Sequence, residues 1–175
     1  DWGTYHGYAG FYAENVREYG HLKPDAARFI SEQAALAELE LPTPPVPLAG
    51  MIFHVGRCGS TLLARVLARS RRHLVRGEPS LLNQVLYRLG PDGLPMSTPA
   101  ALHRYRNAVS LLSRSGVASH GAGFLKLSSW NLAAWPFIHA AFPQVSKIFI
   151  YREPLEVLVS NLEKPAGFLK HRNWA

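Results

Sequence analysis

The segment that most constrains this chain runs Met51-Ile52-Phe53-His54-Val55-Gly56-Arg57-Cys58-Gly59-Ser60-Thr61-Leu62-Leu63. A short apolar run, closed by a glycine turn, passes directly into Leu62, Leu63, Val66 and Leu67 on helical spacing. This pattern predicts a buried strand followed by a helix over 60–70. Such a junction aims backbone N–H groups and the positive end of the helix dipole at one point, where an anion is stabilised. Gly56 and Gly59 let the backbone approach closely, Ser60 and Thr61 add hydroxyl donors, and Arg57 adds a fixed charge. The same residues also suit a plain glycine turn with a capped helix, and on the loop alone both readings stay open. No lysine precedes Ser60 or Thr61, so the nucleotide-kinase loop G-x-x-x-x-G-K-[ST] is not matched.

The rest of the chain repeats the alternation. His73–Arg76, Ala122–Leu127 and Ser146–Tyr151 read as strands, and 79–89, 99–115, 132–142 and 153–163 as helices, with a Pro/Gly-rich loop from Pro91 to Pro99. Strands alternating with helices predict an α/β fold with a parallel sheet flanked by helices. The apolar character of the strands agrees, because such sheets are covered on both faces. Residues 1–48 read as an N-terminal extension. An aromatic stretch to Gly20 is followed by a helical pattern from Pro24, then a stiff connector carrying Pro42, Pro44, Pro45 and Pro47. Residues 49–175 form the α/β core.

Composition narrows the class. The length of 175 residues suits one core, and a hydrophobic fraction of 47% excludes disorder. A single cysteine, Cys58, excludes an internal disulfide framework. No apolar run approaches a membrane span and no signal segment opens the chain, so a cytoplasmic setting is expected. The net charge of +7 points to an anionic partner. None of the eight histidines has a metal-ligand spacing with Cys58 or a carboxylate, and no metal is implied.

Arg57-Cys58-Gly59-Ser60-Thr61-Leu62-Leu63 resembles the R-S-G-T-T-L loop of the PAPS-dependent sulfotransferases, above all the tyrosylprotein and related bacterial branch. Cys58 and Ser60 are small substitutions at that family's Ser and Thr positions. The resemblance implies a P-loop NTPase-like sulfotransferase core that moves a sulfuryl group from PAPS (3′-phosphoadenosine 5′-phosphosulfate) to an acceptor hydroxyl or amine. It implies that Arg57, Cys58, Gly59, Ser60, Thr61 and Leu62 hold the 5′-phosphosulfate, with Arg57 also taking up charge during transfer. Phe149-Ile150-Tyr151-Arg152-Glu153-Pro154, with Ser160 two helical turns on, resembles the family's second motif, which implies that Arg152 and Ser160 grip the 3′-phosphate. Glu78, after a strand and a glycine, falls where the tyrosylprotein branch keeps its catalytic base. Lys126 resembles the strand-end lysine that faces the bridging oxygen.

Residue chemistry bears on each position separately. A lysine inside Gly123-Phe124-Leu125-Lys126-Leu127 is expensive unless its ammonium reaches an anion or an open cleft. Glu78 serves equally as a positioned carboxylate base or as a favourable charge at a helix start. Arg152 alone suits a surface salt bridge with Glu156, and His54 reads as a core or cleft residue. The cytosolic small-molecule enzymes carry a histidine two residues after the equivalent lysine, whereas this chain has Ser128. The base is therefore expected elsewhere, at Glu78. The family also continues well past its second motif, so 49–175 is expected to be a core lacking its C-terminal part.

Two rival classes remain at this level. A nucleotide-dependent phosphotransferase needs Mg²⁺ and a loop lysine. A non-catalytic basic module binding nucleic acid or another polyanion would use Arg65, Arg69, Arg71, Arg72, His73 and Arg76. The sulfotransferase reading expects instead a small-molecule or protein acceptor, with an acidic one suiting the excess positive charge.

Overall fold

The computed structural model describes residues 44–87 and 97–163. The expected helix within 1–48, most of the loop from Pro91 to Pro99 and the chain beyond Glu163 lie outside the described residues. The elements run β1 (Leu48–His54), α1 (Ser60–Ala68), β2 (His73–Gly77), α2 (Ser80–Tyr87), α3 (Pro99–Leu112), β3 (Ala122–Lys126), a 3₁₀ helix (Ser129–Ala134), α4 (Trp135–Ala141), β4 (Ser146–Ile150) and α5 (Pro154–Glu163). The four strands form one sheet in the order β2-β3-β1-β4, and every neighbouring pair is parallel. The protein is thus an α/β fold with a parallel sheet flanked by helices.

Two boundaries differ from the sequence reading. β1 begins at Leu48, because Gly123 donates its N–H to the Pro47 carbonyl at 2.7 Å and draws that end of the connector onto the sheet. The helix expected over 132–142 is two pieces. Pro136, without an N–H, sits in the first turn of α4, and the preceding turn tightens to 3₁₀. The start of α3 follows its local chemistry: Thr98 Oγ1 accepts from the Ala101 N–H at 3.3 Å, and Pro99 occupies the first turn.

The chain leaves β1 toward one edge of the sheet and returns through β3 to β4 in the opposite sense. Right-handed crossovers therefore place α1 on one face and α2, α3 and α4 on the other. α1 packs beside β2, while α2 packs on α3 and α3 on α4. The period-two alternation of the strands sorts their side chains accordingly. Met51, Phe53, Leu125 and Leu127 join Leu82, Leu86, Tyr105, Val109, Phe137 and Ile138 in the core under the helical layer. Ile52 and Lys126 lie in register with each other on the opposite face.

Tyr105 is fully buried and edge-on to Phe137 at 5.4 Å, yet its hydroxyl has no hydrogen-bond partner. A buried, unpaired hydroxyl loses its hydration without compensation, at a cost of about 1–3 kcal/mol. Tyr105→Phe is expected to raise the urea midpoint, whereas Tyr105→Ala, which removes the ring, lowers stability by about 3–5 kcal/mol.

Candidate functional site

The site is built where β1, β2 and β3 end and along α5, so its parts come from four separate stretches of chain. After β1 the backbone turns through Arg57 at φ 62° and Gly59 at φ 90°. The left-handed conformation suits Gly59, but it strains Arg57 by about 1–3 kcal/mol. Gly59 is the N-cap of α1, and its carbonyl accepts from Leu62 N–H at 2.9 Å and Leu63 N–H at 3.2 Å. No side chain caps this helix and its first turn holds no acidic residue. The turn therefore carries a positive end with no carboxylate of its own against it. Ser60 is buried, Cys58 and Thr61 are half-buried, and Leu62 is exposed.

The exposed Arg57 reaches α5. Its Nε donates to Ser160 Oγ at 3.0 Å, although the two residues lie 103 positions apart. Arg152, just before α5, donates from Nε to Glu156 Oε2 at 2.5 Å. This is the surface pair that its position alone suggests. Arg152, Leu155, Glu156, Val159, Ser160 and Glu163 line an open groove of about 320 Å³ along α5.

A second group lies deeper. The register aligns Gly77 of β2 with Lys126 of β3, and the Glu78 N–H donates to the Lys126 carbonyl at 2.6 Å. Glu78 also adopts a left-handed backbone, φ 50°, which turns its side chain back toward the strand ends. The Lys126 ammonium, fully buried, donates to Glu78 Oε1. His54 Nε2 approaches the same oxygen to 3.4 Å. Burial pushes the Glu78 carboxyl up, but the His54 hydrogen bond and the Lys126 charge outweigh it and hold the carboxyl below its ordinary 4.5.

The structure thus brings together Glu78 with Lys126, and Arg57 with Ser160. It places Arg152 on the same groove as Ser160 but directs its guanidinium to Glu156. His54 was not legible as a site member. Its alternation with Ile52, which puts it on the Lys126 face of the sheet, is the signal that finds it. Asn83 and Ser128 were also missed: Asn83 Nδ2 donates to Ser128 Oγ at 3.0 Å, so Ser128 supports α2 from the end of β3.

The arginine cluster divides. Arg76 is buried, donating from Nε to the Leu112 carbonyl and from Nη2 to the Arg114 carbonyl, both at 3.1 Å, and so closes the end of α3. His73 Nδ1 lies 3.1 Å from the Leu67 carbonyl near the end of α1. Among the described residues no group of three or more His, Cys, Asp or Glu is placed to hold a metal ion, and no helix is long and apolar enough to cross a membrane. Comparisons of the chain with protein-family models, with curated proteins and with solved structures give no match.

Removing one partner of a buried ion pair leaves the other uncompensated, at about 3–5 kcal/mol. Glu78→Gln is therefore expected to lower unfolding free energy by about that amount, and adding Lys126→Met to recover part of the loss. Because folding lowers the Glu78 pKa, its contribution is complete above the ordinary value and is lost as pH falls through the folded one. Parent and Glu78→Gln stabilities should converge in acid, as measured by urea unfolding across pH.

Proposed function

We propose that this protein is a PAPS-dependent sulfotransferase of the tyrosylprotein-like branch, with a P-loop-like core. One observation carries the reading: Arg57 and Ser160, from two anion-binding motifs far apart in sequence, meet at 3.0 Å. A ligand with phosphate at both ends needs its two grips on one surface. The uncapped turn at Gly59, with α5 beside it, supplies that arrangement.

The residues present fit such a donor. The N–H groups that open α1, the hydroxyls of Ser60 and Thr61, and Arg57 would hold the 5′-phosphosulfate. Cys58, Gly59 and Leu62 would shape the loop around it. Arg152 and Ser160 would hold the 3′-phosphate once Arg152 leaves Glu156. That exposed i,i+4 pair is worth only about 0.3–0.5 kcal/mol, so a phosphate dianion displaces it readily. The donor itself supplies a sulfuryl group bonded to a phosphate leaving group.

Glu78 would take the proton from the acceptor hydroxyl or amine. Held below its ordinary range, it is ionised at neutral pH but is a weak base while Lys126 stays fully engaged with it. Lys126 resolves this conflict. As negative charge grows on the leaving phosphate, the ammonium shifts its interaction toward that charge and Glu78 becomes more basic when it must accept a proton. No metal is required, because cationic side chains and backbone dipoles supply the neutralisation. An acidic small-molecule or protein acceptor and a cytoplasmic setting complete the proposal.

Calorimetric titration with adenosine 3′,5′-bisphosphate, against ATP and an oligonucleotide, tests it. The bisphosphate is expected to bind best. Arg57→Ala and Arg152→Ala should each weaken it by about 10- to 100-fold, the value of a charge-assisted hydrogen bond. No binding, or equal affinity for ATP, overturns the reading. An Arg152→Ala chain that binds as the parent does removes Arg152 from the site.

A further inference from the structure

His54 is 5% exposed, at the last position of β1, and three polar groups surround its ring. Nε2 stands 2.9 Å from the Leu127 carbonyl oxygen and 3.4 Å from Glu78 Oε1, and Nδ1 stands 3.1 Å from the Val55 carbonyl oxygen. All three neighbours are acceptors. A histidine that serves as a base needs a ring nitrogen with its lone pair turned toward the proton it removes. Here each nitrogen faces a backbone carbonyl oxygen; a neutral ring carries one N–H, and the shorter contact, to Leu127, assigns it to Nε2.

We propose that His54 is a positioning residue for Glu78: its ring, anchored through Nε2 on the Leu127 carbonyl, stands 3.4 Å from Oε1 and so limits where the carboxylate that accepts the acceptor's proton can lie. The assignment rests on the sulfotransferase reading for what Glu78 does, but not for how it is held. Geometry supplies the rest. Lys126 and His54 approach the same carboxylate oxygen from β3 and β1, the two strands that follow β2 across the sheet. A donor from one rigid strand and a ring anchored on another confine a planar carboxylate better than one flexible ammonium does. His54 also lies three residues before Arg57 on the same strand-to-loop path, so it ties the carboxylate to the frame that carries the anion loop.

Among the described residues, the titratable groups that face the Glu78 carboxylate are His54 from β1 and Lys126 from β3. The experiment follows the Glu78 carboxyl directly, by ¹³C NMR of chain labelled at glutamate, with the resonance assigned by its loss in Glu78→Gln. No nucleotide is present. In His54→Phe, which removes the donor, the Glu78 titration is expected to shift to higher pH. In His54→Gln, whose amide can donate from near the Nε2 position, it should return toward the parent curve. If the phenyl ring disrupts folding, His54→Asn, whose shorter amide stops short of Glu78, replaces it with the same expectation.

An unmoved Glu78 curve in the donor-less variant overturns the proposal, as does a His54→Gln curve that matches that variant. In sulfuryl-transfer assays the donor-less variant is expected to lose about tenfold in kcat at unchanged donor KM, with its acid limb moved to higher pH. A parent chain that binds no bisphosphate defeats the sulfotransferase reading. It leaves the carboxyl titration to decide His54 by itself.

Discussion

The ammonium of Lys126 is the constraint around which this site is arranged. A lysine fully removed from water needs an anion in hydrogen-bond reach, or the fold gives up several kcal/mol. Glu78 meets that need because the parallel register brings the end of β2 level with Lys126 and because its own backbone turns left-handed. His54 then approaches the same carboxylate oxygen from β1. The pair is therefore structural and chemical at once. The arrangement that pays for burying the lysine also keeps a carboxylate ionised at the carboxyl end of the sheet.

The outer part of the site is held differently. Arg57, Arg152 and Glu156 are exposed, Ser160 is only partly covered, and no described residue of α5 is buried. Leu155, Leu158 and Leu162 of that helix are all more than half exposed. Hydrogen bonds in such a setting contribute little to folding, since water competes for the same groups. Their value is geometric. They keep cations and hydroxyls near one another, as the proposed exchange of internal partners for an external anion requires. The inner group is thus fixed by burial, whereas the outer group rests on contacts that are cheap to break.

Much of the fold was legible from the sequence. β1 and β4 stand out as compact apolar runs, although no residue of β4 is buried. The start of β1 was not legible, because it depends on a carbonyl of Pro47 meeting an amide of Gly123. The 3₁₀ turn before α4 was hidden because apolar spacing does not distinguish three residues per turn from 3.6 over so short a stretch. In the site, the cost of a lysine within an apolar strand called for an anion. Which anion answered was not readable, since 48 residues separate Glu78 from Lys126 and only the register brings them together. The place of His54 was hidden for the same reason, and Arg152 meets Glu156 as simple helical spacing allows.

The left-handed backbone at Arg57 and Glu78 has a consequence for how this chain can change. Both positions would be conformationally easier for glycine, and both carry side chains central to the proposed chemistry. Robustness and chemistry therefore favour opposite residues at these two places. A library of variants sorted for heat resistance alone should drift toward glycine at 57, where the side chain is exposed and contributes little to folding. It should hold Glu78, because the buried lysine penalises its loss more than the strained backbone rewards it. Selection for durability would thus erode the loop after β1 first and leave the inner carboxylate as the last trace of the site.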